Sequence, residues 1–438
     1  MSISELFLDH LRVRLRYAEE ALSVNNFDAM VISSGLPPTY FADSLTAPPD
    51  LVPHFRHYCP AVGPYHILKI QHGKKPILVH YTPRDFWYEH VHLDSPFWID
   101  GFDIVETADL EMRWRFVKDG SLRIAYIGNE IESAMIAGMD INYIGLTTFL
   151  DWGRSYKTLY ELQCLDEANK ACAKGQIAGC QAFLAGASEI EIHHAFLEAV
   201  GISESELAFS SIVALNEKSA ILHYENKRNL RNGKTLLLDC GVRVRGYASD
   251  ITRTITSISC NHKFKELVDG MEKNHRDLVA AIVPGMLFGD LHHLSHIKLA
   301  SLLKKQDIIY ATPDQAIAFK LTRPFYPHGL GHYLGIQVHD VAGRLAGPTG
   351  DLTAPPLLYP NLNTTRTIEP SQVVTIEPGC YFIPMLLRPF REGCYSKYFN
   401  WKLIDELSCL GGVRIEDDVF INQTGCYNLT RKHLPSIL

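Results

Sequence analysis

The pattern of apolar and polar positions changes near residue 155 and predicts two domains. Before that point, short apolar runs alternate with loop-like or helical segments, which is typical of the strands of an α/β domain. Because 438 residues exceed what one hydrophobic core usually serves, a second domain is expected on length alone. A helical pattern over residues 11–25 precedes the first run. The strand-like runs are FDAMVIS (27–33), HILKIQ (66–71), KPILVHY (75–81), DIVET (103–107) and RIAYIG (123–128).

The second part of the chain begins with helices and continues with strands. Residues 160–186 have helical periodicity and a terminal Gly, and Ser188 opens a second helix that ends near Gly201. Further on, short runs rich in Ile, Val, Leu and Thr surround two helical stretches. This pattern predicts an α+β domain over residues 156–438, preceded by a smaller α/β domain over residues 1–155. The helical stretches cover 263–280 and 289–305, and the segment 343–364, rich in Pro, Leu, Gly and Asn, predicts a surface excursion.

Composition and charge exclude several classes of protein. Hydrophobic residues make up 46% of the chain, and no run approaches the ~18 uninterrupted apolar residues of a membrane span. A formal net charge of -7 provides no basic surface for nucleic acid, so small neutral or zwitterionic substrates fit better. The N-terminal stretch lacks the apolar segment of a secretory signal, and the ten cysteines contain no CxxC pair. A cytoplasmic protein with reduced thiols, without nucleic-acid or membrane partners, is therefore expected.

Two aspartates lie on a predicted pair of strands. The tract TLLLDCGVRVRGYASDITRTIT contains Asp239 and Asp250, with a turn signal at Arg245-Gly246 between two strand-like runs. One segment of sheet thus presents two carboxylates. Taken alone, either aspartate is more often a turn former or a cap than a ligand.

Three further candidates follow in the same domain. His332 stands among glycines in HGLGHYLG, where small residues permit close approach of the backbone, although an isolated histidine is more often structural. Glu377 in VVTIEPGCYF and Glu416 in GGVRIEDDVFI lie within apolar strand patterns. A carboxylate inside a buried strand requires a positive partner, because desolvation of its charge is otherwise too costly.

Together these residues predict a metal site. Four carboxylates and one imidazole form an oxygen-rich ligand set, which favours hard or borderline divalent ions such as Mn²⁺ or Co²⁺, with Zn²⁺ as an alternative. The negative charge suffices for two ions, which need bridging carboxylates to lie ~3.5 to 4 Å apart. The ligand set would be Asp239, Asp250, His332, Glu377 and Glu416.

The motifs around these residues resemble those of the Xaa-Pro dipeptidases, or prolidases, of the pita-bread metallopeptidase superfamily. The segments LLLDCGVRVRGYASDITRT, HGLGHYLGIQVHD, TIEPGCYF and GGVRIEDD fit the family's motifs in the family's order. The likeness is greatest to bacterial prolidases related to organophosphorus acid anhydrolases and extends over nearly the whole chain. It implies a C-terminal pita-bread catalytic domain, an N-terminal domain that contributes to dimerisation and to the substrate pocket, a homodimer, and hydrolysis of Xaa-Pro dipeptides.

The resemblance also implies a role for each metal ligand. Asp239 would chelate the first metal, and Asp250 and Glu416 would bridge both. His332 and Glu377 would complete the shell of the second metal. In that family a hydroxide bridging the metals attacks the scissile carbonyl, since two cations acidify water and stabilise the oxyanion. Glu377 would take the proton of this hydroxide and pass it to the proline nitrogen.

Four further residues match the family's substrate contacts. His339 in QVHD would donate a hydrogen bond to the tetrahedral intermediate. His328, four residues before the ligand histidine, and His223 in ILHY would line the substrate pocket. Arg414 would grip the terminal carboxylate of the substrate with its guanidinium fork. Outside such motifs, these residue types more often have surface or packing roles.

One position departs from the family pattern. Relatives carry FLDD in the N-terminal domain, and the second Asp reaches into the partner subunit's active site to bind the free amino group of the substrate. Here the stretch reads YFADS, so Asp43 is kept and Ser44 replaces the reaching carboxylate. The resemblance therefore implies weaker recognition of the amino group by this chain.

Three alternatives stay open. An Xaa-Pro aminopeptidase acting on longer peptides would share the metal motif and differ in the closure of the pocket. The same site can attack organophosphorus esters as a promiscuous activity, because the phosphoryl oxygen polarises as a carbonyl does. A pita-bread protein that had lost its metals would act as a binding module, although all five ligand residues are present here.

Overall fold

The structure, a computed structural model, describes residues 1–47, 52–84, 86 and 93–435. Helices and strands are mixed along the chain, as the α+β prediction requires. Within the described ranges, no helix has both the length and the hydrophobicity that crossing a bilayer requires.

The N-terminal unit comprises Met1–Gln163 together with Ala346–Asp351. Its strands in the described ranges are β1 (Ala29–Ser33), β2 (Ile67–Gln71), β3 (Ile77–Tyr81), β4 (Asp103–Thr107), β5 (Ile124–Ile127) and β6 (Asp140–Ile141). Its helices are α1 (Ile3–Val24), α2 (Pro53–Tyr58), α3 (Met112–Val117), α4 (Ile131–Ile136) and α5 (Ile144–Arg154). The strands form a mixed sheet in the order β4-β3-β2-β1-β5-β6, with β1 antiparallel to β2 and parallel to β5. Each run that the apolar pattern singled out contains a strand of this sheet.

The first helix begins earlier than its apolar pattern predicts. α1 starts at Ile3, because the Ser2 side chain accepts a hydrogen bond from the Glu5 N–H (3.2 Å) and the Glu5 carboxylate accepts one from the Ser2 N–H (2.7 Å). This reciprocal capping box satisfies N–H groups that the first turn leaves unpaired. The start of the helix is therefore set by capping and not by the apolar stripe.

The C-terminal unit comprises Cys164–Leu345 and Leu352–Leu438. Its helices are α6 (Leu159–Leu184, from Cys164 onward), α7 (Glu189–Val200), α8 (His262–Ala280), α9 (Phe288–Lys305), α10 (Pro313–Ala318), α11 (Pro384–Glu392), α12 (Trp401–Ser408) and α13 (Leu429–His433). Its strands are β7 (Ile212–Leu215), β8 (Thr235–Cys240), β9 (Arg243–Val244), β10 (Tyr247–Ala248), β11 (Ile251–Thr256), β12 (Val373–Ile376), β13 (Gly379–Tyr381), β14 (Gly412–Arg414), β15 (Asp417–Ile421) and β16 (Cys426–Asn428). They pair in the orders β11-β8-β7, β12-β15-β16, β13-β14 and β10-β9.

The helices α6 and α7 follow the sequence prediction closely and pack on one sheet. The Glu191 carboxylate accepts a hydrogen bond from the Ser188 N–H (2.8 Å) at the start of α7, and Gly201 ends the helix with φ of 79°. The core between the helices and the β7-β8-β11 sheet contains Phe196 from α7 and Leu236 and Leu238 from β8. This core supports the strand that carries the first predicted ligand.

The segment 343–364 is only in part the surface excursion that its composition predicts. Tyr359, Leu362 and Thr364 are 8%, 1% and 2% exposed. Leu362 belongs to a core cluster with Phe288. A segment without periodicity can still bury single side chains, because burial depends on what packs over each of them.

Candidate metal centre

Strands β8 and β11 bring the two predicted aspartates into one buried region. The antiparallel register pairs Asp239 with Thr252, and Asp250 lies just before β11, on the same face of the chain as Thr252. The chain between the aspartates turns at Arg245 and Gly246, whose φ values are 51° and 92°. Asp239 is 6% and Asp250 5% exposed. The turn signal in the sequence thus marks the hairpin that presents both carboxylates.

The two glutamates lie at strand ends and not inside strands, contrary to the expectation from the apolar pattern. Glu377 directly follows β12, and its N–H donates to the Leu330 carbonyl (2.8 Å). The next residue, Pro378, has no N–H with which to continue the ladder. Glu416 lies between β14 and β15, where it forms an isolated bridge with Thr252. Strand ends let these carboxylates face the site while their apolar neighbours stay in the core.

His332 is held by hydrogen bonds to its peptide and to its ring. Its N–H donates to Thr375 Oγ1 (3.1 Å), and its carbonyl accepts from the Thr375 N–H (2.9 Å). Gly331 permits this approach, because a Cβ there would lie 1.9 Å from the Thr375 carbonyl oxygen. The ring Nδ1 lies 3.0 Å from the carbonyl oxygen of Tyr333, which can only accept. Nδ1 therefore carries the proton, and Nε2 is left as a ligand atom.

The predicted ligands converge. Asp250, His332 and Glu416 each offer a ligand atom, and these atoms lie within 4.8 Å of one another. His332 Nε2 is 3.5 Å from Asp250 Oδ2 and 3.9 Å from Glu377 Oε1. Asp239 Oδ1 is buried and has no hydrogen-bond partner in the part of the chain that the structure describes. A buried carboxylate oxygen without a donor is a natural position for a cation.

The raised carboxyl pKa values indicate that negative charge exceeds positive charge in this cluster. Burial and the neighbouring Asp239 raise the pKa of Asp250 well above its usual range. Burial and Asp250 raise the pKa of Glu416 in the same way. Burial also raises the pKa of Glu377 to about 7. Divalent cations would supply the missing charge, so the donor set fits a metal centre.

The guanidinium of Arg414 lies among these carboxylates. It forms an ion pair with Asp239 Oδ2, while Nη1 donates to the Tyr381 hydroxyl (3.0 Å) and Nε to Thr252 Oγ1 (3.2 Å). Thr252 Oγ1 in turn donates to Glu416 Oε2 (2.7 Å). A guanidinium carries five N–H donors, so donors remain for a substrate beyond these three contacts.

The three remaining predicted histidines hold different positions. His328 Nε2 accepts from the Tyr381 hydroxyl (2.9 Å) while Nδ1 donates to a backbone carbonyl (2.8 Å). Burial lowers the pKa of His328 to about 3 and that of His339 to about 4, so both rings are neutral near pH 7. His339 packs edge-on against His332, with ring centroids 4.4 Å apart. His223 is exposed and faces the same cavity.

All of the site residues predicted from the sequence line one cavity of about 560 Å³. This volume lies within the range of small-molecule sites. The predicted residues are His223, Asp239, Asp250, His328, His332, His339, Glu377, Arg414 and Glu416. The structure therefore brings the whole predicted set together.

Ser44 belongs to the N-terminal unit, where it lies in an exposed loop. Next to it, Asp43 Oδ1 accepts a hydrogen bond from the Leu45 N–H (3.1 Å). Asp43 thus shapes its own loop in the manner of an Asx turn.

Two family models match this chain. Residues 163–423 match metallopeptidase family M24, and residues 5–152 match the N-terminal domain of Xaa-Pro dipeptidase. The chain belongs to metallopeptidase family M24. The Xaa-Pro dipeptidase of Pseudoalteromonas atlantica is 38% identical to this M24 chain over 435 residues, 98% of each protein. That of Aeromonas hydrophila subsp. hydrophila is 37% identical over 437 residues, 98% of this chain and 99% of the relative. The expected kinship with prolidases is confirmed, and the protein is a metal-dependent hydrolase.

Solved structures share the fold of this M24 protein. Zinc-substituted Escherichia coli aminopeptidase P in complex with product has a TM-score of 0.72 at 21% identity, covering 98% of this chain and 96% of the other. Pseudomonas aeruginosa aminopeptidase PepP has a TM-score of 0.71, also at 21% identity and with the same coverage. At this identity the likeness concerns the fold alone, and it confirms the predicted pita-bread architecture.

The M24 centre contains two residues that the sequence interpretation did not single out. Thr252 and Tyr381 both contact Arg414. Strand alternation from Asp250 could have indicated Thr252, since residues two apart share a face. Predicting Tyr381 would have required the register of β13 on β14. In that register Gly379, two residues before Tyr381, lies opposite Arg414. That register is not readable from either segment alone.

Proposed function

We propose that this M24 metallopeptidase hydrolyses Xaa-Pro dipeptides in the carboxylate-lined cavity. The observation that carries the proposal is the convergence of donor atoms whose carboxyl pKa values are raised, an arrangement that needs divalent cations. The full-length relatives named Xaa-Pro dipeptidase support the substrate class. The ligands would be Asp239, Asp250, His332, Glu377 and Glu416.

Two divalent cations fit this ligand set. Asp239 would hold the first cation, and Asp250 and Glu416 would be shared by both. His332 and Glu377 would complete the second. Oxygen-rich ligation favours Mn²⁺, with Co²⁺ or Zn²⁺ as substitutes. When bound, the cations would supply Lewis acidity that polarises the scissile carbonyl and acidifies the attacking water.

Glu377 is suited to transfer the proton. In metal-free protein burial raises its pKa to about 7, and bound cations would lower it. Its Oε2 is 3.4 Å from His328 Nδ1, and its Oε1 is 3.9 Å from His332 Nε2. A carboxylate at this position can take a proton from the attacking water and deliver it to the proline nitrogen as the C–N bond breaks.

The remaining residues would orient the substrate. Arg414 would bind the terminal carboxylate with the N–H donors left by its contacts in the protein. His339 would donate a hydrogen bond to the carbonyl oxygen as negative charge develops there. His223 and His328 would form the pocket for the proline residue.

Three wider parts of the proposal rest on the resemblance to prolidases. The active protein would be a homodimer. An N-terminal domain over residues 1–155 would contribute to dimerisation and to the substrate pocket, with residues 156–438 as the catalytic domain. The enzyme would work in the cytoplasm on small peptides that end in proline.

Metal analysis coupled to turnover tests the function. Metal-free protein should be inactive and should regain hydrolysis of an Xaa-Pro dipeptide with Mn²⁺, at about two ions per chain. An Xaa-Pro-Xaa tripeptide is the control, and faster cleavage of the tripeptide would make the protein an aminopeptidase. Turnover of neither peptide would indicate a binding module. A phosphotriester in the same assay tests the organophosphorus activity that the resemblance implies.

A further inference from the structure

Behind the metal centre, three polar side chains lie along one face of α6. Asn169, Cys172 and Gln176 recur at helical spacing, and each is 0% exposed. This face packs on the β7-β8-β11 sheet, where apolar side chains would bury surface without a need for hydrogen bonds. We call these three residues the α6 stripe. Their polar groups require an explanation beyond packing.

Gln176 ties together the two strands that carry the aspartates. Its Nε2 donates to the Leu238 carbonyl on β8 (3.3 Å) and to the Ile251 carbonyl on β11 (2.7 Å). Leu238 directly precedes Asp239, and Ile251 directly follows Asp250. The orientation of the amide is settled by its acceptors, because a reversed amide would place its oxygen against two carbonyl oxygens.

The other two members of the α6 stripe contact the same region. Cys172 Sγ donates to the carbonyl of Cys240 (3.2 Å), the residue after the first aspartate ligand. Asn169 Nδ2 donates to Asp418 Oδ2 (2.8 Å), and the same oxygen accepts the N–H of Asp250 (3.1 Å). The stripe therefore reaches both aspartate ligands through their adjoining backbone.

The C-terminal helix α13 completes this support. The Asp418 N–H donates to Thr430 Oγ1 (2.9 Å), and the Thr430 hydroxyl donates to Asn169 Oδ1 (2.7 Å). Asn169 thus closes a ring of hydrogen bonds around Asp418, and all three residues are fully buried. This ring connects α6, β15 and α13 behind the backbone of the metal centre.

We propose that the α6 stripe positions Asp239 and Asp250 for metal binding. The inference rests on the metal centre proposed above. Neighbouring buried carboxylates repel one another until a cation arrives, so the protein must hold their strands together beforehand. Partners behind the ligands that fix ligand orientation typically change metal affinity by about 10- to 100-fold when they are removed. The stripe residues do not touch the substrate cavity and act through the ligands.

Two variants and a matched control test this role. Gln176→Leu removes the link between the strands, and Asn169→Ala removes the donor to Asp418. Gln181→Leu is the matched control, because it makes the same Gln-to-Leu change at an exposed position of the same helix. Metal-free, full-length proteins would be titrated with Mn²⁺ by calorimetry, and their thermal unfolding would be measured without metal. We expect about 10- to 100-fold weaker Mn²⁺ binding for the first two variants and wild-type affinity for Gln181→Leu.

A merely structural role gives a different result. It would lower the melting temperature of metal-free Gln176→Leu and Asn169→Ala while the folded protein kept the wild-type Kd for Mn²⁺, and that outcome would overturn the proposal. If Gln176→Leu does not fold, Asn169→Ala and Cys172→Ala decide by the same measurement. Wild-type protein that binds no Mn²⁺ would instead refute the metal centre itself, which separates the two failures.

Discussion

The metal centre and the ion network around Asp417 both contain buried carboxylates. They meet at two consecutive residues, Glu416 in the centre and Asp417 in the network. At Asp417, Arg253 Nη2 donates to one carboxylate oxygen (2.6 Å) and Arg431 Nε to the other (2.7 Å). At Glu416, Thr252 Oγ1 donates to one oxygen (2.7 Å) and Arg414 Nε lies 3.8 Å from the same oxygen, but several carboxylates also lie nearby. Alternation along the strand directs these two consecutive side chains to different surroundings.

The two surroundings have opposite effects on ionisation. Burial opposes the charge on Asp417, yet Arg253 and the other basic neighbours outweigh it and hold the pKa of Asp417 well below its usual range. Burial and Asp250 raise the pKa of Glu416 well above its usual range. Removing one partner of a buried ion pair destabilises a fold, whereas buried carboxylates with surplus negative charge are typical of a cation site.

Glu416→Gln tests the metal centre and should have the largest effect. An amide cannot supply the charge of a shared ligand, so the transition state should lose several kcal/mol of stabilisation. The value of kcat/KM should therefore fall by about a thousand-fold or more. Bound Mn²⁺, measured by atomic emission on purified protein, should also fall. A variant with full metal content and wild-type turnover would contradict the ligand role.

Asp417→Asn tests the paired side and should affect stability instead. Removing the charge leaves Arg253 buried without its ionic partner, so the free energy of unfolding should fall by about 3–5 kcal/mol. Denaturant unfolding of metal-free protein measures this change. Mn²⁺ content per folded chain should stay at the wild-type value. Loss of metal without loss of stability would show that the two regions are not distinct.

Glu377→Gln sharpens the comparison by testing proton transfer at a residue that would also hold a cation. We expect kcat to fall by about 100-fold or more while KM changes little, because a proton carrier acts in the transition state. Glu392→Gln, at an exposed position of α11, is the control and should leave both constants unchanged. Metal content must be measured on the same samples. Unchanged turnover in fully metallated Glu377→Gln would remove this residue from proton transfer.

Metal affinity should rise with pH. In metal-free protein the carboxyls with raised pKa values keep their protons at mildly acidic pH, up to about 7 for Glu377. A cation must displace these protons, so Mn²⁺ should bind more tightly as the pH increases from about 5 to about 7.5. Calorimetry in two buffers of different ionisation enthalpy measures the released protons. Binding without proton release, at a pH-independent affinity, would contradict the assignment.

Ser44→Asp should have the smallest effect. It adds the carboxylate that the resemblance to prolidases implies at this position and that this chain lacks. A shielded contact with the substrate's ammonium group should lower KM for Xaa-Pro dipeptides by about ten-fold. N-acetylated substrates offer no cation and should show no change, and metal content should stay constant. Equal improvement of free and acetylated substrates would show that position 44 does not bind the amino group.

Local pattern determined much of this protein. The periodicity of residues 160–186 predicted α6, the Ser188 cap and Gly201 bounded α7, and the turn at Arg245-Gly246 marked the aspartate hairpin. The motifs also supplied every residue of the predicted site, all of which line one cavity. These features depend on contiguous residues or on short motifs, so one sequence contains them.

The tertiary structure decided the rest. In GGVRIEDD the three acidic residues look equivalent, yet Glu416 faces the centre, Asp417 binds Arg253, and Asp418 accepts the N–H of Asp250. The contact from Gln176 to the Ile251 carbonyl spans 75 positions in the chain. Which distant groups meet is set by strand register and by the packing of helices on sheets, and no local pattern records either.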